Sequence, residues 1–296
     1  MLSPICLFTY NRLDETRQTV EALKRNFLAP LSCLYIFSDG PKDETITQKV
    51  NEVRQYIKTI GGFKAIKIFE SPVNRGLAKS IIDGVTQIIE KYGRVIVLED
   101  DLITSPNFLD FMNYALQFYQ NKERVLSISG YSFSINYPND YKYDVAIGFR
   151  ASSWGWATWK DRWNKIDWRV NDYSSFRWNI KSRLSFNRGG SDMSHMLDKQ
   201  MNNKINSWAI RFCYHQFKHN YIDIYPVKSK VINIGFSPNG TNCKFEIKRF
   251  LTQLDNSDKR SFNFCQELIV DKTIFKQFVQ HYSFFSRFYD KIQQLL

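Results

Sequence analysis

The sequence predicts an α/β protein built on a doubly wound, mostly parallel sheet. Two features of its first 130 residues carry that prediction. Four apolar strand-like runs alternate with three helix-like segments, the pattern of strands joined by crossover helices. A polar stretch closes each strand: Asn11-Arg12, Ser38-Asp39-Gly40, Asn74-Arg75-Gly76 and Glu99-Asp100-Asp101. In open sheets of this kind ligands bind beyond the carboxyl ends of the strands, so the four stretches converge on one candidate site.

The elements follow in order. PICLFTY (residues 4–10) is the first strand, and DETRQTVEALKRN (14–26) an amphipathic helix with an acid at its start. CLYIFSDG (33–40) is the second strand, and ITQKVNEVRQYIKTI (46–60) a helix closed by Gly61-Gly62. AIKIFES (65–71) is the third strand, and GLAKSIIDGVTQIIEKYG (76–93) the helix before the fourth. In that fourth strand Val95, Ile96, Val97 and Leu98 show no polar alternation, as expected of a strand covered on both faces. Ser105 and Pro106 then suit the cap and first turn of a further helix.

The second half changes character. Trp154, Trp156, Trp159, Trp163 and Trp168 fall within fifteen residues, SFNRGGSDMS (185–194) reads as a glycine-containing loop, and residues 195–220 read as largely helical. Residues 221–236 read as extended with a proline break. From about Phe245 the chain becomes charged and irregular, and it ends in an aromatic, basic, helix-like tail. The phenylalanines of that tail fall at several phases, which favours packing over a lipid-facing role. The expected division is residues 1–130, 131–245 and 246–296, the last a C-terminal helical extension.

Composition bounds the function. The chain has 296 residues, 43% of them hydrophobic, with 24 Phe, 16 Tyr and 7 Trp. A net charge of +12 favours anionic partners: nucleotides, nucleic acid or an anionic membrane surface. Five scattered cysteines without a CxxC pair suggest neither a zinc cage nor a disulfide framework. The N-terminus enters a strand almost at once and has no signal-peptide layout. The expectation is a cytoplasmic protein, with peripheral contact at the inner membrane face as a further reading. Asn239-Gly240-Thr241 matches a glycosylation sequon and reads as a turn.

The three adjacent acids repel one another, and a hard divalent cation shared with phosphate oxygens would offset that repulsion, which indicates Mn²⁺ or Mg²⁺. Arg12 and Arg75 are candidates to fork onto a diphosphate or stack on a base, and Asp39 to accept hydrogen bonds from a base or ribose. No Walker loop is present, and no GxGxxG follows the first strand. His215 and His219, four apart, share a helix face that reads as exposed and polar. The tryptophans read partly as core and partly as a sugar-stacking wall, with Trp154 and Trp156 nearer the site than Trp168; Gly155 between them permits close approach.

IVLEDDLITSPNFLDFMNYAL and RVLSISGYSF resemble the metal-binding segment of GT-A glycosyltransferases. The resemblance is to the N-acetylglucosaminyltransferase I family and to bacterial family-2-like sugar transferases of polysaccharide assembly. The bacterial resemblance extends through SPVNRGLAKSI, SWGWATWKDRW, NSWAIRF and YPVKSKVINIGF, most of residues 3–243. It implies a nucleotide-sugar donor, with uracil the expected base, and a glycan or lipid-linked glycan acceptor. Asp101 would ligate the metal, Asp100 would contact the ribose or assist at the metal, and Glu99 would orient the loop. Thr9, Asn11, Arg12, Asp39 and Arg75 would complete the nucleotide-sugar set, and Trp154, Gly155, Trp156, Trp208 and Arg211 would line the acceptor pocket.

Two departures stand out. Where the N-acetylglucosaminyltransferase pattern supplies a catalytic base, this chain has Ala209 and Ile210, or Asn206 and Ser207 in a shifted match. Asn242 replaces a histidine common in the bacterial group. Asp192, and after it Asp198, are then the candidate bases for an inverting transfer, with retention still open. Three alternatives stand: a non-catalytic glycan or nucleotide binder of the same fold, a sugar-1-phosphate nucleotidyltransferase, and a nucleic-acid-binding protein. The second would need a glycine-rich loop that FTYNRLDET lacks. The acidic triplet opposes the third, and no nucleic-acid partner is expected.

Overall fold

The computed structural model describes residues 1–235 and 248–293. Its first part alternates β1 (Ile5–Thr9), α1 (Leu13–Lys24), β2 (Cys33–Ser38), α2 (Glu44–Ile57), β3 (Ala65–Glu70), α3 (Leu77–Tyr92) and β4 (Arg94–Glu99). Then come β5 (Leu102–Thr104), α4 (Phe108–Phe118), β6 (Val125–Ser129), β7 (Val145–Gly148), β8 (Trp156–Trp159), α5 (Lys160–Trp163), α6 (Tyr173–Trp178) and α7 (Ile180–Phe186). The remainder is α8 (Met193–Met201), α9 (Trp208–Lys218), β9 (Ile222–Pro226), β10 (Val231–Asn233), α10 (Lys272–Gln280) and α11 (Phe284–Gln293).

The main sheet has eight strands in the order β3-β2-β1-β4-β8-β6-β9-β7. Strands β1 to β4 pair parallel, as does β6 with β9, whereas β8 and β7 run antiparallel to their neighbours. The predicted α/β, mostly parallel architecture with a helical C-terminal extension is therefore what forms. The expected boundary at residue 130 does not interrupt the sheet, because β8 inserts between β4 and β6 and joins the two halves.

Period-2 alternation sorts the core. Ile5, Leu7, Ile96 and Leu98 point to the face covered by α1, α2 and α4, and Cys6, Phe8, Val95 and Val97 to the face covered by α3 and α9. Both faces of β1 and β4 are thus dry, which is why these strands read as unbroken apolar runs. The tryptophans on the second face stack: Trp156 lies 4.8 Å from Trp208 and 5.7 Å from Trp163, all three buried.

Local readings shift in several places. Ser105 does not cap α4; Asn107 takes that position, while the Ser105 hydroxyl bonds the Asn107 side chain. The stretch between the acidic triplet and α4 holds β5, which pairs antiparallel with β10, Leu102 opposite Asn233. Residues 195–220 are largely helical as expected, with a break at Asn202–Ser207 between α8 and α9 where Asn203 has φ 57°. The SFNRGGSDMS loop is tight: a 3₁₀ turn at Asn187–Gly189 leads straight into α8. His215 is buried against His219, ring centroids 4.4 Å apart, and not on an exposed face; burial, helped by His219, lowers its pKa to about 4. Cys6, Cys33, Cys213 and Cys265 are free thiols. The 239–241 sequon, Asn242 and Cys243 lie outside the described residues.

One buried carboxyl ties the sheet to the cleft. Asp223 on β9 accepts from the Ser127 hydroxyl on β6 and from Gln216 Nε2 at 2.5 Å, and Gln216 Oε1 accepts from Ala151 N at 3.1 Å. Burial pushes Asp223 up to about 7 against the pull of both donors. Between about pH 4 and 7 the native chain therefore holds a proton that the unfolded chain has released. The associated stability is present at low pH and lost as pH rises through that window. Urea titrations should show a fall from pH 5 to pH 7 that shrinks by about 2 kcal/mol in Asp223→Asn. An unchanged fall would place the protonation elsewhere.

Candidate functional site

A cleft of about 870 Å³ opens at the carboxyl ends of β1, β2 and β4. One wall is polar and comes from strand ends: Thr9, Asn11, Arg12, Asp39, Asn74, Glu99, Asp100 and Asp101. The other is largely aromatic and comes from the second half and the C-terminal extension: Tyr131, Trp154, Trp208, Phe250 and Tyr282, with Asn206 and Ser207 beside them.

The acidic triplet is held by elements far apart in sequence. Arg12, between β1 and α1, reaches Asp100 Oδ1 at 2.5 Å and Asp101 Oδ2 at 3.0 Å through one nitrogen. Tyr10 N donates to Asp100 Oδ2 at 3.2 Å. Behind the turn, the Thr19 hydroxyl of α1 donates to Asp100 O at 2.9 Å and accepts from Leu102 N at 3.0 Å. Arg12 thus offsets part of the repulsion. Burial, with the neighbouring aspartates, holds Glu99 well above the usual carboxylate range; burial lifts Asp100 to about 6 despite Arg12.

The antiparallel ribbon closes over this turn. Ile234 N donates to Asp101 O at 2.9 Å, and a Cβ placed on Gly235 would stand 2.2 Å from Asp101 Oδ2 and 3.1 Å from an Arg12 nitrogen. Only glycine admits the carboxylate so close to that backbone.

Asp39 organises the next strand ends. Its Oδ1 accepts from Gly40 N and Arg75 N and its Oδ2 from Gly76 N, all at 2.9 Å. The carboxylate thereby pins the turn after β3 and sits at the positive end of the α3 dipole. Arg54 of α2 ties the same ends from behind, donating to Ser71 O at 2.6 Å and Asp39 O at 3.2 Å.

Several expected residues stand elsewhere. Arg75 is half exposed and turns away to Asp83 at 3.2 Å, so it does not line the cleft. Trp156 and Gly155 are core: Trp156 is wholly buried in the tryptophan stack, and Gly155, at φ 59°, fits beneath Val231, Leu98 and Phe108. Arg211 donates to Ser207 O and Trp168 O, both at 3.1 Å, and braces α9 instead of facing the cavity. Asp192 is locked in a two-pronged pair with Arg150, at 2.7 and 3.0 Å, and it is Arg150 that borders the cleft. Asp198 is likewise paired with Arg183, at 2.9 and 2.7 Å, and accepts from the Tyr173 hydroxyl at 3.0 Å. Both acids serve as counter-ions, and their pKa values are lowered accordingly: burial opposes the Arg150 charge at Asp192, while the Arg183 hydrogen bonds lead at Asp198. Among the described residues the carboxylates that border the cleft are Asp39, Glu99, Asp100 and Asp101.

Thr9, Asn11, Arg12, Asp39, Glu99, Asp100, Asp101, Trp154 and Trp208 do meet in one cleft. The reading from sequence missed Tyr131, Phe250, Tyr282 and Gly235. Tyr131 and Phe250 flank Trp154, at 4.6 and 5.3 Å, and Tyr282 stacks over the Arg150 guanidinium at 3.7 Å. Nothing local in the sequence marks Phe250 or Tyr282, which reach the cleft from the C-terminal extension.

A divalent cation fits the donor set by its chemistry. The described residues hold no cluster of three or more His, Cys, Asp or Glu able to cage an ion. Mg²⁺-type ions in phosphate-binding sites need only one or two carboxylates, the rest coming from phosphate and water. Asp101, with Asp100 beside it, supplies that.

A sequence model of the glycosyl transferase family 2 matches residues 5–192. No curated protein matches in sequence. Among solved structures the chain is similar to the mannosyltransferase PcManGT from Pyrobaculum calidifontis in complex with GDP-Man and Mn²⁺ (12% identity, 54% of this chain and 46% of that one, TM-score 0.38). It is also similar to S. aureus TarS 1-349 (12% identity, 79% and 61%, TM-score 0.44). A third likeness is to UDP-glucose pyrophosphorylase complexed with UDP-glucose (12% identity, 78% and 93%, TM-score 0.37). The chain thus spans less than half of the length of the mannosyltransferase.

Proposed function

The chain belongs to glycosyl transferase family 2, and from that premise we propose that it is a GT-A glycosyltransferase moving a sugar from a nucleotide-sugar donor to a glycan or lipid-linked glycan. The donor we propose is a uridine diphosphate sugar, the cofactor Mn²⁺ or Mg²⁺, and the setting bacterial surface polysaccharide assembly. The observation that carries the reading is the cleft itself, which sets an acidic turn and an arginine opposite an aromatic wall. The match favours the family-2 side of the resemblance and gives the N-acetylglucosaminyltransferase I side no support.

The strand-end wall suits the nucleotide. Asn11 offers amide donors and acceptors to a base or ribose, and Asp39 keeps the strand ends at fixed spacing. Asp101, assisted by Asp100, would hold the cation, which when bound neutralises charge on the leaving diphosphate. Arg12 is the resident positive charge there; it meets both carboxylates through one nitrogen, and its guanidinium suits a phosphate. Across the cleft, Trp154, Tyr131, Phe250 and Tyr282 present ring faces and edges to sugar C–H surfaces, and Asn206 and Ser207 add polar atoms for hydroxyls.

An inverting transfer needs a base for the acceptor proton. Asp192 and Asp198 are each held in an arginine pair, so neither is placed to take that proton in this arrangement.

The test is thermal stabilisation by a panel of nucleotides and nucleotide sugars with and without Mn²⁺, followed by donor hydrolysis. A ligand at about a hundred times its dissociation constant adds roughly 2.7 kcal/mol, a visible shift. A metal-dependent shift with a uridine-based donor, accompanied by slow hydrolysis, is the expected result. Binding without hydrolysis would make the chain a non-catalytic binder, and no shift with any nucleotide would overturn the reading.

A further inference from the structure

The C-terminal helix α11 is built the wrong way round for a packed helix. Its apolar residues Phe284, Phe285, Phe288, Tyr289 and Ile292 form one stripe at helical spacing, and they are 64, 81, 53, 60 and 40% exposed. Two of its polar residues face the protein: Asp290 pairs with Arg249 at 2.8 Å, and Arg287 donates to the Ser191 hydroxyl at 2.9 Å. Burial logic demands the opposite arrangement, so the stripe is a surface made to be covered.

A second segment shares this character. Residues 173–188 carry Arg177, Lys181, Arg183 and Arg188 and no acid. Trp178, Ile180 and Leu184 among them are each more than two-thirds exposed, with the Arg177 guanidinium 4.9 Å from the Trp178 ring. The loop that ends this segment meets the start of α11, where the Ser191 hydroxyl donates to Tyr282 O at 2.9 Å. From Lys272 onward the chain adds four basic residues and one acid.

The geometry points to an anionic lipid surface as the partner of these two segments. Aromatic and aliphatic side chains flanked by lysine and arginine enter the interface between headgroups and acyl chains, and each basic residue near an anionic leaflet adds electrostatic attraction. A second copy of the chain would instead bring like charge against like, on a protein already at +12. No helix among the described residues is long and apolar enough to cross a membrane, so the contact is interfacial.

The docking stands without the transferase reading; its use rests on that reading. Tyr282, two residues before α11, lines the cleft, as does Phe250, next to the Arg249 that pairs with Asp290. A protein lying on α11 would hold the aromatic end of its cleft beside the bilayer, where a lipid-linked acceptor presents its sugars.

The test is flotation of the full chain with vesicles of phosphatidylcholine alone or with about one-third phosphatidylserine. Roughly ten-fold more protein should float with the anionic vesicles. Phe285→Ser/Phe288→Ser should lose that binding with an unchanged unfolding midpoint, since both side chains are exposed, and Arg177→Gln/Lys181→Gln should weaken it and flatten its salt dependence. Absence of binding to anionic vesicles, or binding indifferent to both double variants, would overturn the inference. So would sedimentation showing a dimer that the phenylalanine variant dissolves, because the occupant would then be a second copy. Metal-dependent donor binding in solution should be the same in wild type and both variants, so failure of docking and failure of the transferase reading are told apart.

Discussion

Asp101→Ala is expected to abolish the metal-dependent part of nucleotide binding and to lower transfer by about 10²–10³-fold, the scale on which a single group aimed at developing charge contributes. The fold should survive, because Arg12 keeps its shorter pair to Asp100 and the Thr19 bonds behind the turn do not involve the Asp101 side chain. The same loss should be reached without touching a charge. In Gly235→Val the new Cβ would stand 2.2 Å from Asp101 Oδ2, so either the carboxylate or the ribbon must move. Thermal shifts with a nucleotide sugar, with and without Mn²⁺, measure both variants. An Asp101→Ala protein that keeps the full metal-dependent shift would remove this carboxylate from the site. Asp192→Asn separates positioning from metal binding: it should destabilise the fold by leaving Arg150 buried and unpaired, yet keep the shift.

The polar wall of this cleft was legible because each piece is local. An unbroken apolar run identifies a strand dry on both faces, and the residue after it must emerge at the sheet edge, where ligands bind. Arg12, Asp39 and Asp101 follow from that rule alone. Arg75 obeys it in sequence but not in space, since an exposed Asp83 two turns along α3 draws its guanidinium outward. The aromatic wall was only half legible. Trp154 stands near the strand ends in sequence, whereas Phe250 and Tyr282 arrive from chain that no periodicity links to the site. The stripe on α11 was hidden for a different reason. Its phenylalanines run on from those of α10 in the sequence, and the two series separate only once the helix break at residues 281–283 is known. Asp192 was misjudged because a carboxylate in a glycine-containing loop looks free until its arginine, forty-two residues earlier, is placed.

Trp156 and Trp154 look interchangeable in SWGWATW, and their substitution should give opposite phenotypes. Trp156→Ala empties a site enclosed by Trp163, Trp208 and Phe212, with ring centroids at 5.7, 4.8 and 5.5 Å, beneath the strand that joins the two halves of the sheet. Truncating a buried aromatic of this size costs about 3–5 kcal/mol, so a chemical denaturation curve should move far to lower denaturant. Protein still folded should bind acceptor as before. Trp154→Ala removes a ring that faces the cleft between Tyr131 and Phe250 and should spare most of the stability while raising the acceptor KM. The contrast has a geometric cause. Gly155 turns the chain at φ 59°, so the two tryptophans flanking it leave in different directions, one into the cleft and one into the core against α9. A Trp156→Ala protein of unchanged stability but weakened acceptor binding would reverse that assignment and move the sugar-stacking wall one layer inward.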